Sequence, residues 1–198
     1  MSDATPIPAR SAPELSSAAH ASLGRLRTLL VEEGGLMASL AGAPAGAGDR
    51  VEGPAQLAAA GPRAAGAREA YELLIEAIYE GYLLHYGTPR VARTSDRDLG
   101  LLAGDRLYAL GLARLVALGD VAAVAELADT ITLSALAQGA GAPELAETIW
   151  TAGARAIGWG SNAAHRRAKA LVLEGSPEAV EAMRTISNRP PPTLATPR

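Results

Sequence analysis

Glu72, Glu76 and Glu80 recur at every fourth position, which on an α-helix sets three carboxylates on one face. Such a stripe can hold a cation or a basic partner. It is also the pattern of a solvated face, and that is the expectation here, because Tyr71, Leu74, Ile75, Ile78, Tyr82 and Leu83 form an apolar stripe on the same segment. Four of the five tyrosines, Tyr71, Tyr79, Tyr82 and Tyr86, crowd this stretch. Their rings can line an apolar pocket or pack into the core, and core packing is the expected role. His20, His85 and His165 are scattered, there is no cysteine, and neither HExxH nor CxxC spacing occurs. A phosphate-cradling glycine loop and a nucleophile elbow are absent too. No catalytic, metal-binding or cofactor-binding residue is therefore assigned from the residues, and no cofactor is expected.

Asp105 stands mid-helix in Leu101-Leu102-Ala103-Gly104-Asp105-Arg106-Leu107. A helical glycine costs about 1 kcal/mol relative to alanine, so Gly104 points to close packing of a second helix. Asp105 itself is expected at the surface. An enzyme built on this chain would need His85, Arg90 and Asp105 to converge in space, which their spacing does not establish.

The segment Leu101 to Asp120 resembles the helix that follows the first aspartate-rich motif of trans-polyprenyl diphosphate synthases, where Leu-Ala-Gly-Asp recurs. Leu83-Leu84-His85 is similar to the Leu-x-His that precedes that motif, and Ala137-Gln138 falls near the family's Glu-x-x-Gln. The likeness covers roughly residues 71–158. It implies an all-α, isoprenoid synthase-like helical bundle. The departures are as informative. Where the family's DDxxD would stand, the chain reads Tyr86-Gly87-Thr88-Pro89-Arg90, with no carboxylate to hold magnesium. The second aspartate-rich motif and the basic Gly-Lys-x-Arg-Pro motif are missing as well. In this the chain is similar to the small, non-catalytic subunit of heptaprenyl diphosphate synthases. The resemblance implies no transferase activity of its own, an accessory role beside a catalytic prenyl synthase, and a relic site around Tyr82, His85, Tyr86, Arg90 and Asp105. On this reading Arg90 can attract a diphosphate, although a solvated loop position after Pro89 is the simpler expectation. On the same reading His85 is expected to pack rather than act as a base, and Asp105 to be a relic or structural acid paired with a nearby arginine. The alternative is a stand-alone helical module whose tyrosines enclose a lipid-like ligand.

The elements that must position these residues are helical. Of 198 residues 48% are hydrophobic and 20% charged, the composition of a folded chain with a core of its own. Aromatics are 4% with no phenylalanine, so leucine and alanine must fill that core. A net charge of −3 and a single lysine, Lys169, argue against a nucleic-acid partner. No apolar run reaches the ~20 residues of a membrane span, and the N-terminus lacks a secretion signal, so a cytoplasmic protein is expected. The scarcity of lysine beside arginine suggests a GC-rich bacterial source. Residues 1–12 and 188–198 read as loose tails, 13–40 as an N-terminal helix and 41–63 as a Gly/Ala/Pro linker. Residues 64–187 read as a helical bundle, with helices near 64–87, 98–118, 121–138, 144–158, 162–174 and 177–186. Asp120 should N-cap the helix beginning at Val121. Oligomerisation is compatible with this pattern.

Overall fold

The computed structural model describes residues 12–44 and 53–188. Within them the chain is all-α, a bundle with no strand and a single isolated bridge between Ala41 and Ala92. The helices are α1 (Ala12–Glu33), α2 (Gly35–Leu40), α3 (Pro54–Ala60), α4 (Arg68–Tyr86), α5 (Arg97–Ala117), α6 (Val121–Gly139), α7 (Pro143–Trp159), α8 (Ala163–Leu173) and α9 (Ala179–Ser187). The side chains of 20–44 and 53–188 are described. The expected tails lie mostly outside these residues.

Local chemistry sets the helix starts. Asp96 accepts from the N–H groups of Asp98 and Leu99, Asp120 from Ala123, and Asn162 from His165, each satisfying donors that a helix start leaves free. The Asp120 cap matches the sequence expectation. Between α5 and α6 the chain reverses through Gly119, whose φ of +79° is costly for residues with a Cβ.

Two clusters make the core. One joins α3, α4, α6, α7, α8 and α9 around Trp150, with Ile75, Ile78, Leu127, Ile149 and Ile157 almost wholly buried. In the other, Leu26, Leu29 and Leu30 of α1 pack with Ala77 of α4 and Ala103, Leu107 and Leu110 of α5. Glu33 ties α1 to α5 at their edge by accepting from both Arg106 and Arg114. The N-terminal helix is thus part of the body.

The expected linker, 41–63, is corrected in the same sense. Residues 45–52 lie outside the described residues, but Pro54–Ala60 is α3, with Ala55 and Ala58 fully buried. Small side chains, which made the segment look coreless, are what its site requires. A Cβ on Gly61 would lie 2.2 Å from the Gly158 carbonyl oxygen, so α3 and the end of α7 meet backbone to backbone.

The α4–α5 crossing obeys the same constraint. A Cβ on Gly104 would stand 2.6 Å from the His85 ring and 3.0 Å from the Gly81 carbonyl oxygen; one on Gly111 would meet Ile78 at 2.3 Å. The close packing expected at Gly104 is present. Gly111→Ala should therefore lose stability: with Ile78 at 2.3 Å and the Leu74 carbonyl oxygen at 3.1 Å, the overpacking cost belongs in the upper part of the range of about 1–3 kcal/mol and exceeds the ~1 kcal/mol gained in helix propensity. Gly24→Ala, on α1 with nothing within 4 Å of the added Cβ, should gain up to about 1 kcal/mol. Urea unfolding of the two variants checks the opposite signs.

Candidate functional site

The glutamate stripe of α4 does not face water. Glu76 is 1% exposed, Glu80 is fully buried, and Glu72 is mostly covered, which corrects the solvated-face expectation. Each carboxylate is met by donors within the fold. Glu72 accepts from Arg25 of α1 at 3.0 Å and from Gln56 of α3 at 3.1 Å. Glu76 pairs with Arg90 Nη1 at 2.6 Å. Glu80 takes the backbone N–H groups of Arg90, Val91 and Ala92 at 2.8, 2.6 and 2.9 Å through Oε1, with Arg90 Nε 3.4 Å from Oε2.

Arg90 is corrected with them. It is no solvated loop residue: its side chain is 14% exposed, lies between two carboxylates and sits 4.9 Å over the Tyr79 ring. The chain geometry explains this. Gly87-Thr88-Pro89 ends α4 and turns the backbone along that helix, so three successive N–H groups reach Glu80 one and a half turns earlier. Val91 and Ala92 are fully buried there, and the stretch is pinned outside by Gly42 N–H to Val91 C=O and Arg93 N–H to Leu40 C=O.

From Tyr79 an aromatic ladder runs to the end of α4. Tyr79 stacks with Tyr82 at 5.8 Å, Tyr82 lies 5.5 Å from Tyr86, and both Tyr79 and Tyr82 pack on Trp150, at 4.9 and 5.2 Å. The Tyr82 hydroxyl accepts from Gln138 at 2.7 Å. His85 stacks on Tyr108 at 5.4 Å, and its Nε2 is 3.2 Å from Asp105 Oδ1. The structure thus brings Tyr82, His85, Tyr86 and Asp105 to one end of α4. Arg90 is engaged separately, by Glu76 and Glu80, so the three residues of the enzyme alternative share no common partner. Asp105 is exposed, as expected, but its partner is a histidine, not an arginine. Burial pushes the Tyr108 and Tyr82 hydroxyls up, which keeps them neutral packing groups. Burial and then the Asp120 carboxylate, 2.5 Å away, push Tyr71 up to about 12.

A second polar cluster has no counterpart in the sequence reading. On α6, buried Glu126 accepts from His165 Nε2 at 2.5 Å and from Lys169 Nζ at 2.9 Å, both on α8; Lys169 also reaches Asp129 at 2.6 Å. The acids are spaced i, i+3 and the bases i, i+4, the one local signal that could have revealed them. Among the described residues no group of three or more His, Asp or Glu side chains is arranged to hold a metal ion. One described helix, α6, is long and apolar enough to cross a membrane; 39% of its apolar window is buried in the bundle.

Compared with protein-family models, curated proteins and solved structures, the chain finds no match. Its function must be argued from its own residues.

Burial alone would raise the Glu126 carboxyl, but the bonds from His165 and Lys169 outweigh it and hold it below its ordinary 4.5. A carboxyl depressed in the folded state contributes stability above its unfolded value, and that contribution is lost as pH falls through and below 4.5. Glu126→Gln should cost about 3 kcal/mol at pH 7, the scale for removing one partner of a buried pair, and should flatten the acid limb of stability. Denaturant midpoints from pH 7 to 3 check both effects.

Proposed function

We propose that this chain is a non-catalytic helical subunit that docks on a prenyl diphosphate synthase and supports it in isoprenoid biosynthesis, with reacting diphosphate and metal held by the partner. The observation that carries the reading is the outward face of the α5–α6 hairpin. Leu102, Ala109, Ala113 and Val116 follow one another on α5, and Val121, Ala125, Ala128, Thr132 and Leu136 on α6, all in exposed positions. Leu102 is 61% and Val121 69% exposed, values that suit a surface meant to be covered. Large apolar side chains at the two ends flank alanines in the middle, a shape that lets another helix approach closely.

Two further features support the same reading. The Leu101-to-Leu107 segment that resembles the synthase family lies on this hairpin. Arg90, in the segment that stands for the family's metal motif, has its charge met internally by Glu76 and Glu80, which suits a chain that leaves diphosphate binding to its partner. In this account the protein acts in the cytoplasm of a bacterium, beside the synthase.

Affinity capture of the tagged chain from its own cells, with mass spectrometry of what co-elutes, tests the reading. The expected result is stoichiometric recovery of a polyprenyl synthase with intact aspartate motifs. Val121→Glu with Leu136→Arg should weaken that complex at least tenfold, the effect of putting charges in place of the large apolar side chains at the two ends of the α6 face, without moving the unfolding midpoint. A clean monomer that forms no complex with purified synthases at micromolar concentration would overturn it.

A further inference from the structure

Two buried carboxylates, Glu76 and Glu80, face one guanidinium. Glu80 is well supplied with donors: the N–H groups of Arg90, Val91 and Ala92 converge on Oε1, and the Arg90 N–H also reaches Oε2 at 3.0 Å. Both of its oxygens serve as acceptors of backbone N–H groups, and it shares the Arg90 guanidinium with Glu76. One turn before Glu76, Glu72 has its own counter-charge in Arg25 and a further donor in Gln56. Glu76 is left over. Arg90 Nη1 reaches its Oε1 at 2.6 Å, but its Oε2 is buried and meets no donor, while Arg90 Nη2 is buried and meets no acceptor. With both carboxylates ionised, one guanidinium would face two negative charges, leaving a net charge in a site where Glu76 is 1% exposed to solvent.

We propose that Glu76 holds a proton at neutral pH and that losing it loosens the segment 87–96, making the connection between α4 and α5 a proton-linked latch. The charged groups that act on it are Arg90 from the connection and Glu80 and Glu72 on α4; Tyr79, also on α4, lies under the Arg90 guanidinium, and Arg25 of α1 and Gln56 of α3 engage Glu72. Burial pushes the Glu76 carboxyl up; Arg90 pulls it down, and Glu80 and Glu72 push it up again, with an upward balance. A carboxyl raised in the folded state contributes stability that is full below 4.5 and is lost as pH rises through the folded value. The connection is the wall that yields, because it is the non-helical side of the site and is held to α4 by bonds to Glu80.

Amide exchange of Arg90, Val91 and Ala92 between pH 6 and 9, corrected for the intrinsic pH dependence, reads the latch. The wild-type protection should fall at least about tenfold, the change for one pH unit of titration. Glu76→Gln, which mimics the protonated acid, should stay protected across the range. A flat wild-type profile, or a variant that falls in parallel with it, would overturn the proposal. Carbon NMR of the Glu76 carboxyl in the wild-type protein at pH 7 decides independently of the variant's folding: a protonated acid is expected, and a carboxylate would sink the idea.

Discussion

A single buried carboxylate organises the join between the two halves of this bundle. Glu80 has no solvent to stabilise it, so it must find donors, and the backbone after Pro89 supplies three in succession. Satisfying Glu80 therefore fixes the path of residues 90–92. That path buries Val91 and Ala92, brings Leu40 and Gly42 alongside, and swings Arg90 back over Tyr79 onto Glu76. The start of α5, and with it the register of Gly104 and Gly111 against α4, follows from where this connection ends. Buried charge is costly, and here the cost is met by converting a loop's free N–H groups into ligands of a side chain.

The second constraint is steric. With 4% aromatics and no phenylalanine, the protein fills its interior by bringing helices close rather than by inserting large rings. Gly81, Gly104 and Gly111 let α4 and α5 touch, and Gly61 and Gly158 do so for α3 and α7. The aromatics it has are concentrated along α4 and on Trp150, where they form a packed ladder. The same economy leaves Ala109 and Ala113 of α5 and Ala125 and Ala128 of α6 at exposed positions.

Much of the fold was legible in the sequence. The stripe from Tyr71 to Leu83, the Asp120 cap and the glycine beside Asp105 each had one dominant physical reading, and each is present. What was not legible depended on distant partners. An i, i+4 run of glutamates looks the same whether water or arginine faces it, and backbone N–H groups, the main ligands of Glu80, leave no mark in a sequence. Glu126 and His165 are separated by 39 residues, so their pairing is a property of the bundle. Helix α3 was hidden for the opposite reason: an alanine-rich segment carries no apolar stripe, yet its small side chains suit a site where backbones meet.

Glu80→Leu keeps the side-chain bulk but removes both oxygens that accept from the Arg90, Val91 and Ala92 N–H groups, so it addresses the organising role of Glu80 most directly. Residue-resolved amide exchange of this variant at neutral pH should show the protection of Arg90, Val91 and Ala92 collapsing toward that of an open loop, while α7 around Trp150 stays protected. Unchanged protection at those three amides would contradict the account, because something other than Glu80 would then be fixing the connection between α4 and α5.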